Sequence, residues 1–218
     1  MSCLRIATIN CHKQSGFGDA KQKQIQSFVG KHNIDILHLQ EVSFSDDTFE
    51  DCTFLCSRYD FLTNNSVTGY GTATLIRNSI EWDNHHKDTE GRVQFFDING
   101  FTFGNIYPQS GLDNTARRNR ETLFSVTIPT LLINSKVNGA ISGDWNCIAR
   151  VCDATNNPAQ KVSPSMKNLI RTFNWTDTCV QLNIKNQFTR FYSTNDITHA
   201  SRLDRTYTVG TVSSTCCN

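Results

Sequence analysis

No apolar run in the chain approaches the roughly 20 residues that a membrane-spanning helix needs. The opening Met1-Ser2-Cys3-Leu4-Arg5 also lacks the apolar core of a signal peptide. A soluble intracellular protein, nuclear and cytoplasmic and without a membrane partner, is the expectation. A charge of one sign is missing too. The 21 Lys and Arg stand against 20 Asp and Glu, a formal net charge of +1, so any hold on a polyanion must rest on local patches, which counts against a simple coating protein. Nine cysteines are present, but no paired Cys-x-x-Cys arrangement. No histidine stands at zinc-finger spacing from Cys52 and Cys56 or from Cys147 and Cys152, which argues for free thiols in a reducing compartment rather than a zinc site. Repeats, linkers and low-complexity segments are absent, and 218 residues suit one domain with a sizeable core.

What is present is a series of buried strands whose ends carry polar residues. Leu4 to Asn10 is apolar on both alternating sets, as a strand covered on both faces would be, so a central strand is expected that delivers Asn10 at its end. Ile25, Phe28, Val29 and His32 then recur at helical spacing from Asp19 onward, an amphipathic helix that Asn33 ends. Ile34 to Leu39 is a second buried strand carrying Gln40 and Glu41 at its tip, with His38 expected as a hydrogen-bonded core residue. Residues 43 to 58 read as a loop with at most a short helix. Gly69 to Arg77 and Arg92 to Ile98 read as strands, and Asn99-Gly100 is a strong hairpin signal leading into Phe101 to Tyr107. Trp82 to Glu90 reads as a polar loop with exposed His85 and His86.

Further on, Thr115 to about Asn134 reads as a helix with a basic first half, Arg117, Arg118 and Arg120. Positive charge opposes the dipole at a helix N-terminus, a cost that a nearby phosphate backbone would offset; a solvated basic face is the alternative. Ser163-Pro164 has the form of an N-cap followed by proline at the first helical position, with Met166, Leu169, Ile170 and Phe173 at core spacing. Phe188 to Tyr192 and Leu203 to Val209 are the last strands, separated by the polar stretch Ser193 to Ser201. Strands interleaved with helices and joined by hairpins argue for two stacked mixed sheets flanked by helices.

Five strand ends carry residues suited to metal or phosphate chemistry: Thr8-Ile9-Asn10, Leu39-Gln40-Glu41, Asn105-Ile106-Tyr107, Gly143-Asp144-Trp145-Asn146 and Ser201-Arg202-Leu203-Asp204-Arg205. In that order and spacing they resemble the endonuclease/exonuclease/phosphatase superfamily, and within it the apurinic-endonuclease-like domain of LINE-type non-LTR retrotransposon polymerase proteins. The resemblance runs from about Leu4 to Tyr207. It implies an α/β, deoxyribonuclease I-like four-layer sandwich of two mixed β-sheets flanked by helices, with the active site at one rim. The family's closing Ser-Asp-His motif has no counterpart after Asp204 in these 218 residues, and His199 does not match it by position. Slower chemistry is the corresponding expectation, since one lost catalytic group typically costs a factor of about 10² to 10⁴.

The carboxylates, carboxamides and phenol of this set are hard oxygen donors of the kind Mg²⁺ prefers, with Mn²⁺ a possible substitute. By resemblance Glu41 is the principal metal ligand, with Asn10 and Asp204 contributing. Asp144 positions or deprotonates the attacking water, Asn146 binds the scissile phosphate, Asn10 orients the metal or Asp144, and Tyr107 donates to phosphate. The resemblance further implies nicking of double-stranded DNA to expose a 3′ hydroxyl that primes reverse transcription, with a covalently linked reverse transcriptase domain as partner. A hairpin or loop at Ser193 to Ala200 would reach into a DNA groove, so Asn195, Thr198 and Arg202 join Arg117, Arg118 and Arg120 as expected DNA contacts. Two alternatives stand beside this one: a superfamily phosphatase acting on inositol phosphates or sphingolipids, and a DNA-binding module that does not cut.

Overall fold

A computed structural model describes residues 3–15, 19–44, 52–67, 69–133, 138–155, 162–184, 187–194 and 196–210. The fold is α/β, with two mixed β-sheets and flanking helices. Its residues form two compact units, Met1–Asn99 with Phe103–Tyr107, and Gly100–Thr102 with Pro108–Asn218.

In the first unit, β1 (Ile6–Ser15) pairs in parallel with the buried β2 (Ile36–Ser43), but residues 6–10 of β1 are only half-buried, not covered on both faces as their apolar pattern predicts. The helix α1 (Asp19–His32) crosses between them and buries Ile25 and Val29 against Leu37 and Leu39. After the short α2 (Thr53–Cys56), β3 (Tyr59–Ser66) and β4 (Gly69–Arg77) complete a sheet of order β1-β2-β4-β3. Among the described residues β1 is hydrogen-bonded only to β2 and forms an edge, not the central strand that its apolar pattern suggests. The strands β5 (Asp83–Lys87), β6 (Val93–Ile98) and β7 (Phe101–Ile106) follow, β6 and β7 joined through Asn99 and Gly100, both at positive φ as the hairpin turn requires. Buried polar groups brace β6 and β7 against the four-stranded sheet: Asn105 Nδ2 donates to the carbonyls of Leu39 (3.1 Å) and Ala73 (2.9 Å), and Asn64 Nδ2 to that of Val93 (2.9 Å). His38 is buried as expected, its Nδ1 3.0 Å from Thr74 Oγ1, and burial lowers its pKa to about 3, so the ring is neutral.

In this unit two further stretches differ from the sequence reading. Residues 82 to 90 hold a strand, β5, and within it His85 is half-buried and bonded to Gln94 rather than exposed. The segment Tyr59 to Ser66, not read as an element at all, is the edge strand β3. Both are polar edge strands; their partners supply the backbone pairing that side-chain pattern alone does not announce.

In the second unit the basic helix is α3 (Asn114–Thr122), continued by a π-helical turn (Leu123–Thr127) and α4 (Ile128–Leu132). Strand β8 (Gly139–Asp144) is buried throughout. A 3₁₀ turn (Val151–Asp153) follows, then α5 (Pro164–Thr172), whose N-cap Ser163 accepts from Met166 N as predicted. Next come β9 (Trp175–Asp177), α6 (Thr178–Gln181), the hairpin of β10 (Arg190–Thr194) and β11 (Ile197–Ser201), and β12 (Asp204–Val209). β12 lies antiparallel between β8 and β9. Its core is aromatic: Trp145, fully buried, stacks on Phe124 at 5.9 Å and meets Tyr207 edge-on at 5.0 Å.

Candidate active site

The motif residues are brought together in two groups, one in each unit. In the first, Leu39 and Val42 both lie in the core cluster under α1, which a regular strand with a period of two cannot achieve. One extra residue, Glu41, stands between them, and both pairings of β2 shift register there. Glu41 has φ +57°, a left-handed conformation that costs a non-glycine residue about 1 to 3 kcal/mol and is concentrated at functional sites. The bulge re-aims its carboxylate, which accepts from Asn10 Nδ2 at 3.0 Å, while Asn10 Oδ1 accepts from His12 N at 2.9 Å. Beneath the bulge Gln40 is immobilised by Thr8 Oγ1 (2.9 Å) and Asn105 Oδ1 (2.8 Å). Neighbouring Cys11 is no nucleophile, because burial pushes its thiol up to about 11. Tyr107, in the same unit, donates its N–H to Arg92 O at 2.7 Å, and the Arg92 guanidinium lies 4.9 Å over its ring.

The second group is built on the β8–β12 ladder, where Asp144 and Asp204 are directly opposed. Trp145, between the polar residues of its motif, anchors them: its N–H donates to Leu203 O (3.0 Å) and its indole N–H to Arg205 O (3.2 Å). Asp144 Oδ1 accepts from Asn146 N at 3.0 Å, an Asx-type turn that suits the left-handed φ of Asn146, +48°. Asn146 Nδ2 donates to Pro108 O at 2.8 Å, leaving one amide hydrogen for another acceptor. Thr189, which the sequence reading missed, accepts at Oγ1 from the N–H groups of both Leu203 (3.0 Å) and Asp204 (3.1 Å). Nothing in the pattern around a lone threonine beside polar neighbours marks that role.

Burial, and then the charge of Asp144, raise the Asp204 carboxyl from 3.8 to about 6. Between those two values the folded protein holds a proton that the unfolded chain has lost. Folding stability in metal-free buffer is therefore expected to rise as pH falls from about 6 to about 4 and to level off below. Asp204→Asn should flatten that slope and stabilise the protein at pH 7 by on the order of 2 kcal/mol. Urea melts at pH 4.5 and pH 7.5 check this, and an unchanged slope in the variant would show that Asp204 is not the group responsible.

The expected DNA contacts divide. Arg120 is buried, its Nη1 donating to the carbonyls of Gln109 (2.8 Å) and Gly111 (2.7 Å), so it is a strut for that loop rather than a phosphate ligand. Arg202 is likewise an internal residue, forked onto Asp177 and bonded to Asp153, with its side chain 5% exposed. Neither expectation of DNA contact holds, because each guanidinium is already committed inside the protein. Arg117 is half-buried and Arg118 exposed on α3, and Thr198 is exposed on β11; Asn195 and the tail 211–218 lie outside the described residues. The N-cap Asp113, accepting from Ala116 N, supplies the negative charge that the basic first turn lacked. Replacing Arg117 and Arg118 together by glutamine is expected to lower the salt dependence of DNA binding by up to about two units of log–log slope. A slope equal to wild type across 50 to 200 mM salt would leave both as a solvated face.

Among the described residues no cluster of three or more His, Cys, Asp or Glu could hold a metal ion, and the described cysteines are free. The donor set remains compatible with Mg²⁺, which binds through one or two carboxylates and completes its shell with water and substrate oxygens.

No protein-family model and no curated protein sequence matches the chain. Solved structures do. An AP endonuclease from Archaeoglobus fulgidus shares 16% identity at a TM-score of 0.71, with 95% of this chain and 87% of that one covered. The 3′ phosphatase NExo from Neisseria, bound to a product DNA hairpin, shares 16% at 0.72, again covering 95% and 87%. TDP2 from D. rerio, complexed with a single-strand DNA product, shares 14% at 0.64, covering 97% and 86%. At these identities the likeness is one of fold: the chain has the deoxyribonuclease I-like α/β fold, and these structural neighbours are members of the endonuclease/exonuclease/phosphatase superfamily.

Proposed function

We propose that the chain is a metal-dependent DNA endonuclease of a LINE-type retrotransposon, nicking double-stranded DNA to expose a 3′ hydroxyl that primes reverse transcription. The observation that carries the nuclease reading is the Asp144–Asp204 pair. Two carboxylates opposed on one ladder, one of them raised to about 6, form a site whose charge calls for a cation and whose oxygens suit a phosphoryl reaction. The neighbouring solved structures include DNA-processing enzymes, two of them with DNA product, which supports DNA as the substrate class. The priming role, the nucleus as workplace and a linked reverse transcriptase domain rest on the motif resemblance.

Glu41 and Asn10 would hold the Mg²⁺; when bound, the ion supplies Lewis-acid polarisation of the phosphoryl oxygen. Asp144 orients the attacking water and takes its proton. Asn146 is held by its backbone and by Pro108, so its remaining amide hydrogen is fixed in direction for a phosphate oxygen. Tyr107 donates its phenolic hydrogen to the phosphate, and Arg92 over its ring restricts the ring's movement. The water oxygen bonds to phosphorus, the P–O3′ bond breaks, and the O3′ leaves as a hydroxyl by taking a proton from solvent water, to which Asp144 returns the proton it accepted.

The test is Mg²⁺-dependent relaxation of a supercoiled plasmid, run beside phosphate release from an inositol phosphate. Nicking without phosphate release is the expected result. Phosphate release alone would assign the site to the phosphatases, and DNA binding without turnover in saturating Mg²⁺ would make the chain a binding module.

A further inference from the structure

The second unit holds a buried charge network that the reaction above does not use. Asp153, at the end of the 3₁₀ turn, accepts from Arg150 N (3.0 Å) and Arg150 Nη2 (3.2 Å), from Arg202 Nε (3.2 Å) and from Arg205 Nη2 (3.2 Å). Arg202 forks onto Asp177, and Arg205 Nη1 donates to Cys147 O at 2.7 Å. The side chains of Arg202, Arg205, Asp153 and Asp177 are 5%, 0%, 3% and 10% exposed, two cations against two anions. A balanced pair set of this kind adds little net stability compared with apolar packing; what full hydrogen bonding does give is fixed direction.

Its two arginines bracket Leu203 and Asp204. Arg202 N also donates to Asp153 O at 2.8 Å, and Arg205 Nη2 to Arg202 O, so the bracketed segment is tied at both ends to one residue. Between those ties Leu203 O accepts from Trp145 N, and both inner N–H groups rest on Thr189. We propose that Asp153 is a positioning residue for the phosphodiester cleavage: by clamping Arg202 and Arg205 it sets Asp204 opposite Asp144. The catalytic part of this rests on the nuclease reading; the clamp itself does not.

Asp153→Asn keeps the side chain's shape and one acceptor oxygen while removing the charge that gathers three guanidinium groups, those of Arg150, Arg202 and Arg205. The expected result is a kcat for plasmid nicking lower by about 10 to 100-fold per folded molecule, with KM within about twofold of wild type, the loss that a misplacement of around 1 Å brings. Hydrogen exchange of the Leu203 and Asp204 amides should quicken at least about tenfold while the amides of β8 keep their protection. Should that variant fold poorly, Arg202→Lys serves instead, since an ammonium cannot fork onto Asp177 and reach Asp153 together. Unchanged kcat in a folded variant, or a loss that only follows the folded fraction, overturns the positioning role. Unchanged exchange at Leu203 and Asp204 overturns the clamp, and that readout decides even if the wild-type protein does not cut DNA.

Discussion

Changing Asp144 to asparagine is expected to leave a folded, DNA-binding protein whose nicking is slower by a factor of about 10² to 10⁴. The carboxamide oxygen can still accept from Asn146 N, as Asp144 Oδ1 does at 3.0 Å, so the turn should survive. What goes is the charge and basicity proposed to orient and deprotonate water. Burial is the larger cause of the raised Asp204 carboxyl and the Asp144 charge the second; the same change removes the second, so Asp204 should titrate lower and the metal-free protein should be more stable at pH 7. Opposite signs for activity and stability separate a reactive carboxylate from a packing residue. Plasmid nicking and urea melts on the same preparations supply both, and wild-type nicking in the variant would remove Asp144 from the mechanism.

Glu41 offers the second large effect, with a backbone component that can be isolated. Both Glu41→Ala and Glu41→Gly should lose Mg²⁺-dependent nicking by at least about 10²-fold, because the carboxylate expected to hold the ion is gone. They should differ in stability. At φ +57° alanine keeps the strain and glycine does not, so Glu41→Gly should be the more stable of the two by about 1 kcal/mol. Equal melting midpoints would mean that the bulge relaxes when the side chain is removed. Retained nicking in either variant would contradict the metal assignment.

How far these features could be read from the chain depended on whether the deciding partner was near in sequence. The buried strands β2 and β8, the existence of β1 and the Asn99-Gly100 hairpin follow from local pattern, because their apolar runs and turn residues carry their own physical reason; the half-buried edge position of β1 does not. The bulge at Glu41 does not, since Leu39 and Val42 look like an ordinary alternation until both are seen in one core. Strands β3, β5, β9 and β11 are short or polar, and each exists because a partner strand supplies its ladder. Arg120 and Arg202 look like DNA ligands in sequence because the carbonyls of Gln109 and Gly111, and the carboxylates of Asp153 and Asp177, are distant or unmarked there. The motif residues Asn10 and Glu41, and Asp144, Asn146 and Asp204, do meet within their own units, which periodicity alone could not have stated.

The central claim is that this chain cuts one DNA strand and leaves a usable 3′ hydroxyl. The direct measurement is polymerase extension, from labelled nucleotide, of supercoiled plasmid first incubated with the purified protein in Mg²⁺ and then freed of it. Label entering nicked circles for wild type, but not with EDTA and not for Asp144→Asn, is the predicted result. Nicks that accept label only after treatment with a 3′ phosphatase, or label that enters equally with the Asp144→Asn protein, would contradict it.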